Sequence, residues 1–221
     1  MNENKPLLVA NLKANCTWDQ VQAWLDSVGA AAKNFKGTII FCPSSSFLAA
    51  SFQKIKSEKK PLVLGSQDIS EFEQGAYTGE VAASQISSLV SFSIIGHSER
   101  RENFNEDEIA LEKKVQNANV AKITPIFCVQ GADTEIPQGV KIVAYEPIFA
   151  IGTGNPETPD NVREIVEIIK AKGSYTVLYG GSVSAENVKS FLDEGKADGV
   201  LVGATNSVDP QNFISIISAL K

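Results

Sequence analysis

The sequence predicts an α/β protein, a (β/α)₈ barrel in which the helix between strands 5 and 6 is reduced or absent. Short apolar or β-branched runs alternate with stretches of helical periodicity along the chain. Strands separated by helices pair in parallel, and eight such units point to a closed barrel. An open, doubly wound sheet is the alternative. Its dinucleotide-binding version is disfavoured because no Gly-x-Gly-x-x-Gly motif follows the first run.

Length and composition narrow the protein class. The chain has 221 residues, of which 43% are hydrophobic, and no repeat or low-complexity linker interrupts it. We therefore expect one domain over residues 1–221. The net charge of −6 argues against nucleic-acid binding. Three cysteines without metal-type spacing suit a reducing compartment, and the first apolar run is too short for a signal peptide or membrane span. We expect a cytoplasmic protein with no membrane partner.

Runs of strand-forming residues define the sheet. The predicted strands are residues 7–11, 38–42, 62–65, 93–96, 123–128, 141–146, 176–179 and 199–203. Apolar residues recur at helical spacing over 18–32 and 47–55, after the first and second strands.

Capping residues predict where several helices begin. Thr158 and Asp209 each precede a proline, which suits the first position of a helix. Asn105 and Glu108 have the spacing of a capping box, and Ser184 is expected to cap the helix after strand 7.

Two connections between strands leave little room for a helix. Residues 67–91 are mostly loop, with room for one short helix over 84–89. Residues 129–140 are too few for a packed helix of several turns, and Gly131 and Pro137 disfavour one. The outer faces of strands 5 and 6 must then be covered by neighbouring helices, by Ile136 or by another subunit.

Polar side chains follow several of the predicted strands. Asn11 and Lys13 end strand 1, His97 and Glu99 follow strand 4, and Glu146 ends strand 6. In barrels of this kind the chemistry lies at these strand ends, so the five residues are candidates for one site. His97 is the only histidine of the chain. Taken singly, a lone histidine is more often structural and a strand-end lysine is more often solvated, but their common location favours a site.

Two loops and one segment complete the candidate site. Glycines follow strands 7 and 8, where barrels often bind phosphate through backbone N–H groups, although plain turns are the alternative. Residues 147–154 begin with a proline, continue as an apolar stretch and end in Gly-Thr-Gly. A carboxylate followed by such a segment suits a general base beneath a closing lid, and an exposed glutamate before an ordinary loop is the alternative.

These motifs resemble the triosephosphate isomerase family in order and register from Val9 to about Val202. They are Asn-Leu-Lys at 11–13, Gln-Gly-Ala-Tyr-Thr-Gly-Glu at 74–80, Ile-Gly-His-Ser-Glu-Arg-Arg at 95–101, Ala-Tyr-Glu-Pro at 144–147, Ala-Ile-Gly-Thr-Gly at 150–154 and Tyr-Gly-Gly-Ser-Val at 179–183. The resemblance implies a TIM barrel that interconverts dihydroxyacetone phosphate and D-glyceraldehyde 3-phosphate through an enediolate, without a cofactor or a metal.

The resemblance also assigns roles to residues. It implies Glu146 as the base, His97 as a neutral electrophile and Lys13 as the cation facing the substrate, with Asn11 and Glu99 completing the cluster. The phosphate-binding positions that it implies are Gly152, Ser182, Gly203 and Ala204.

A homodimer is expected through the loop at residues 67–80. This loop holds Phe72 and Tyr77 but has no helix of its own to bury them. The resemblance places Thr78, at its tip, against the catalytic region of the partner subunit.

The chain departs from the family pattern at three places. After strand 8 it has Ala204 where the family usually has a second glycine, which raises a question about phosphate binding. Phe149 stands where a tryptophan is usual, and Gln130-Gly131 replaces the usual Gly-Glu. Two other functions remain open, a different phosphate-binding barrel enzyme and a non-catalytic relative that binds sugar phosphates or acts as an interaction protein.

Overall fold

A computed structural model describes residues 5–147 and 156–221 and has a closed, parallel, eight-stranded barrel. The strands are β1 (Leu7–Asn11), β2 (Thr38–Cys42), β3 (Val63–Ser66), β4 (Phe92–Ile95), β5 (Thr124–Val129), β6 (Ile142–Tyr145), β7 (Thr176–Tyr179) and β8 (Gly199–Val202). Each strand pairs with the next along the chain, and β8 pairs with β1. The predicted fold class is confirmed, and every predicted strand lies within one residue of an observed one.

Helices lie between most of these strands. Among the described residues they are α1 (Trp18–Ala31), α2 (Leu48–Ser57), α3 (Ala83–Ile86), α4 (Ser98–Asn103), α5 (Glu108–Val120), α6 (Pro159–Lys172), α7 (Val188–Asp193), α8 (Ala204–Val208) and α9 (Pro210–Ala219), with short 3₁₀ turns at Ala32–Asn34 and Ser45–Phe47. In the part of the chain that the structure describes, no helix has both the length and the apolar character needed to cross a bilayer.

The strands are apolar on both faces because both faces are covered. Alternate residues fill the barrel interior, among them Val9, Ile94 and Leu201. The intervening residues pack outward against the helices, where Trp24 of α1 stacks on Phe41 at 4.5 Å.

Ser207 joins the segment after the last strand to the first strand and the first helix. The Trp24 indole N–H donates to the Ser207 carbonyl oxygen at 2.7 Å, and the Ser207 hydroxyl donates to the Asn11 carbonyl oxygen at 2.7 Å. Ser207 is fully buried, so these two bonds hold the segment after β8 against the end of β1.

Two of the predicted helix caps are confirmed and two are wrong. The side chains of Thr158 and Asp209 cap α6 and α9, each directly before a proline. Asn105 does not cap α5. It has a φ of 53°, which asparagine tolerates, and the Asp107 side chain accepts from Ala110 N–H at 2.8 Å instead. Ser184 does not directly precede a helix either, because a turn separates it from Val188, where α7 begins.

The predicted loss of the fifth helix is confirmed, since residues 130–141 contain only turns, bends and irregular chain. The outer face of β5 is nevertheless covered, and Phe127 is only 2% exposed. The Arg101 guanidinium lies 5.6 Å from the Phe127 ring centroid, and Ile136 packs against the main core from the loop. Neighbouring helices and Ile136 therefore replace the missing helix, leaving a groove of about 540 Å³ beside the exposed Ile109.

Candidate active site

A cavity of about 260 Å³ opens at the carboxyl ends of the strands. It brings together side chains from the ends of β1, β4, β6, β7 and β8. The sequence-predicted residues that line it are Asn11, Lys13, His97, Glu146, Ser182, Gly203 and Ala204. Glu99 lies beside it through its ion pair with Lys13.

Glu146 follows β6 and is 1% exposed. Its backbone N–H donates to the Val129 carbonyl oxygen at 2.8 Å, which continues the pairing with β5 past the strand. Its carboxylate Oε2 accepts from Ser98 N–H at 3.0 Å, and Oε1 lies 3.3 Å from His97 Nε2. A Cβ at Gly180 would lie 2.9 Å from Glu146 Cγ, so a glycine is needed beside this carboxylate.

His97 precedes the first turn of α4 and is 7% exposed. Its Nδ1 accepts a hydrogen bond from Glu99 N–H at 3.2 Å. A ring nitrogen that accepts a hydrogen bond carries no proton, so this contact places the N–H of the ring on Nε2. That proton therefore lies on the side of the ring that faces Glu146.

Lys13 extends into the cavity from the loop after β1 and has a φ of 51°. Its Nζ lies 2.5 Å from Glu99 Oε1, and its backbone N–H donates to Asn11 Oδ1 at 3.1 Å. Its carbonyl oxygen accepts from Gln67 Nε2 at 2.9 Å and from the Ser44 hydroxyl at 3.2 Å. A left-handed lysine persists only where its surroundings hold it, and these bonds do so.

Gln67 and Cys128 also contact the site, and neither was a candidate from the sequence. Gln67 follows β3, and the position after a strand was the available signal. The Cys128 thiol lies inside the barrel on β5, where its burial, together with the charge of the Glu146 carboxylate and a hydrogen bond to it, raises the thiol pKa well above its usual value. Its neighbour in the register of β5 and β6 is Ala144, two residues before Glu146, and cysteine spacing alone gives no sign of this contact.

The loops after β7 and β8 form one wall of the cavity. Ala204 has a φ of 52°, so this alanine adopts the left-handed backbone that glycine would take readily. Gly203 is extended, and a Cβ there would lie 3.1 Å from Lys13 Cε. Gly152 and most of the segment 147–154 lie outside the described residues.

Thr78 is not part of this cavity. It is exposed in the loop 67–80, where Phe72 and Tyr77 stack at 4.2 Å and remain 36% and 46% exposed. Across residues 5–147 and 156–221 no group of three or more His, Cys, Asp or Glu side chains has a metal-binding arrangement.

Comparison with known proteins gives a consistent result over nearly the full chain. A family model described as triosephosphate isomerase matches residues 6–141 and 132–220, and the two matched segments overlap at the short connection between β5 and β6. The triosephosphate isomerase of Mesomycoplasma hyorhinis is 32% identical, covering 99% of this chain and 100% of the relative. That of Dictyoglomus turgidum is 29% identical, covering 96% and 98%.

A solved structure is also similar. The crystal structure of triosephosphate isomerase from Bartonella henselae superposes with a TM-score of 0.84 at 25% identity, covering 97% of this chain and 98% of that one. The alignment with the M. hyorhinis protein spans 248 positions, more than this chain has residues, so the relative has residues with no counterpart in this chain.

Proposed function

This chain belongs to the triosephosphate isomerase family and is an enzyme that interconverts dihydroxyacetone phosphate and D-glyceraldehyde 3-phosphate; on that premise, we propose that Glu146 is its base and His97 its electrophile. The observation that carries the assignment is the 3.3 Å separation of Glu146 Oε1 and His97 Nε2 in a shared cavity. Triosephosphate isomerase is the established example of this division of roles between a glutamate and a neutral histidine.

The proposed proton transfers follow from these two groups. The Glu146 carboxylate removes a proton from the carbon beside the substrate carbonyl and returns it to the neighbouring carbon. The His97 Nε2–H donates to the carbonyl oxygen as negative charge develops there, which stabilises the enediolate. The ring then takes up the hydroxyl proton of the neighbouring oxygen, so the carbonyl group moves by one carbon and no proton is gained or lost overall. The Ser98 N–H holds the second carboxylate oxygen and so fixes the direction of the first.

Lys13 is proposed as the cation that faces the developing oxyanion. Its ammonium is paired with Glu99, and its side chain is 17% exposed. Asn11 supports it by accepting the Lys13 N–H. The substrate phosphate is proposed to bind at Gly152, Ser182, Gly203 and Ala204, beneath a lid formed by residues 147–154 that excludes water and suppresses loss of phosphate.

Three further proposals concern the whole molecule. We propose that residues 1–221 form a single domain and that the protein acts in the cytoplasm.

We also propose a homodimer in which the loop 67–80 carries Thr78 to the catalytic region of the partner subunit. The exposed, stacked rings of Phe72 and Tyr77 support this, because such pairs are usually covered. Light scattering should give about twice the 23.7 kDa chain mass, and an active monomer would refute the dimer.

A coupled assay for D-glyceraldehyde 3-phosphate tests the assignment of the base. Glu146→Asp withdraws the carboxylate by one methylene, and we expect kcat to fall on the order of 100-fold or more with little change in KM. Glu157→Asp, at a carboxylate outside the cavity, is the matched control. Wild-type turnover by Glu146→Asp would show that another group is the base.

A further inference from the structure

We propose that Asn187 and Asn206 are positioning residues for the substrate phosphate, because their side-chain amides bond backbone groups of three consecutive residues in the loop after β7. This inference rests on the isomerase function proposed above. Both asparagines line the cavity, and neither was a candidate from the sequence.

Asn187 bridges two residues of this loop. Its Nδ2 donates to the Ser182 carbonyl oxygen at 3.0 Å, and its Oδ1 accepts from Ser184 N–H at 2.8 Å. Because both the donor and the acceptor of the Asn187 amide are engaged, the amide has a single orientation. The backbone of residues 182–184 that it bridges is fixed in the same way. Asn187 therefore fixes the loop from the side of α7.

Asn206 holds the residue between them. It lies in α8, and its Nδ2 donates to the Val183 carbonyl oxygen at 2.7 Å. This bond joins the loop after β8 to the loop after β7, so the two halves of the proposed phosphate site cannot shift independently. Residues 182–184 are then held from both sides.

The same bond supports the unusual backbone of Ala204. A left-handed conformation is disfavoured for a residue with a Cβ and persists where neighbours hold it. The Ser207 hydroxyl lies 3.0 Å from the Ala204 carbonyl oxygen, and the Asn206 side chain anchors the intervening turn to Val183. Asn206 thus stabilises the position at which this chain departs from its family.

The electrostatic consequence concerns the carbonyl oxygens. A phosphate is attracted by backbone N–H groups and repelled by backbone carbonyl oxygens, so a loop that binds phosphate must keep its carbonyls engaged elsewhere. The two asparagine amides engage the carbonyls of Ser182 and Val183. The loop is therefore arranged for an anion before one arrives, and no binding energy is lost in ordering it.

Three variants test the proposal: Asn206→Ser, Asn206→Asp and Asn187→Asp. The serine variant removes the amide without adding charge, and each aspartate variant places a carboxylate oxygen against a carbonyl oxygen. Asn119→Asp, at an exposed residue of α5, is the control for the added charge. The readouts are the Kd of inorganic phosphate by ³¹P magnetic resonance, the Tm, and turnover of both triose phosphate and D-glyceraldehyde, which lacks the phosphate.

We expect phosphate to bind about 10-fold more weakly to Asn206→Ser and on the order of 100-fold more weakly to the aspartate variants. The slow isomerisation of D-glyceraldehyde should stay within about 2-fold of wild type, because a positioning role for the phosphate does not affect it. If Asn206→Asp does not fold, the neutral serine variant decides.

Unchanged phosphate binding in the folded variants overturns the proposal. An equal loss of turnover with D-glyceraldehyde overturns it too, because that result indicates a general structural role. Phosphate binding is measured without catalysis, so a wild-type protein that binds phosphate but fails to isomerise triose phosphates would contradict the proposed function and leave this test intact.

Discussion

Two regions of the barrel differ in how much change of sequence they accept. One is the rim, where the site lies at the carboxyl ends of the strands, and the other is the side, where the outer faces of β5 and β6 lie. At the rim, the Glu146 carboxylate and the Lys13 carbonyl oxygen each accept a hydrogen bond from a distant part of the chain, and the His97 ring accepts one from Glu99 N–H. At the side, a whole helix is missing, and one isoleucine with neighbouring helices covers the strands. Catalysis at the rim requires contacts of fixed direction. Stability at the side requires only that apolar surface be covered.

The largest expected effect comes from the rim. Lys13→Met removes the cation while keeping a side chain of similar length, and we expect kcat/KM to fall on the order of 1000-fold. Lys196→Met, at an exposed lysine of the opposite end, is the matched control. The coupled isomerase assay measures both, and a loss below about 10-fold would mean that the rim tolerates change as the side does.

A substitution at the side of the barrel should lower the stability of the fold and leave the isomerase activity unchanged. Ile136→Asp places a charge among the apolar groups that cover β5, and we expect a loss of about 2 kcal/mol in the free energy of unfolding with kcat unchanged. Gln138→Asp, exposed in the same loop, should have little effect. Denaturant unfolding and the isomerase assay together check this, and a parallel loss of kcat would contradict the separation of the two regions.

A partly buried ionic cluster of Asp68, Arg100, Glu106 and Lys114 allows the stability of the protein to be tested through pH. Burial raises the pKa of Asp68 to about 6, with nearby Glu106 adding to the shift and the ammonium of Lys114 and the guanidinium of Arg100 opposing it. The folded state therefore holds this proton more tightly than the unfolded state, where the pKa is about 4. Stability contributed by the protonated form is lost as pH rises from about 4 to 6.

Asp68→Asn should remove that part of the pH dependence. Between pH 4 and 6 the wild type should lose up to about 2 kcal/mol more than the variant. Asp133→Asn, an exposed aspartate in the β5–β6 loop, provides the control. Urea unfolding at several pH values measures the difference, and identical slopes in the two proteins would show that Lys114 keeps Asp68 ionised throughout.

The smallest effect is expected at Ala204. Ala204→Gly relieves the left-handed strain but makes the unfolded chain more mobile, and the two contributions are each about 1 kcal/mol. We expect the inhibition constant of a phosphate-bearing transition-state analogue to tighten by no more than about 2-fold. A clear weakening would show that the bonds of Asn206 and Ser207 have adapted the loop to alanine.

The strands and the missing helix could be predicted because they depend on local properties. Strands that are apolar on both faces leave a continuous signal, and residues 129–140 are too few for a packed helix of several turns whatever surrounds them. The predicted cap of α5 was wrong because asparagine and aspartate both suit a helix cap, and only the backbone conformation decides between Asn105 and Asp107.

The residues around the site were only partly predictable. Strand-end positions identified Glu146, His97 and Lys13, which the fold then gathers at one rim. Cys128, Gln67 and Asn206 act through contacts between distant parts of the chain, such as the one between Cys128 and Glu146. A single sequence holds no periodicity or spacing for such contacts, because they arise only when the barrel closes.

The bonds of Ser207 have a consequence for how the protein is made. Its hydroxyl meets the carbonyl of Asn11 across 196 residues of chain. A ribosome adds roughly 5–20 residues per second, so the first strand waits on the order of 10 to 40 seconds for its last neighbour to be synthesised. During that interval β1 has an unpaired edge, and the loop carrying Lys13 lacks its neighbours after β8. The nascent chain is therefore inactive until the segment after β8 has emerged, and molecular chaperones have that long to act on it.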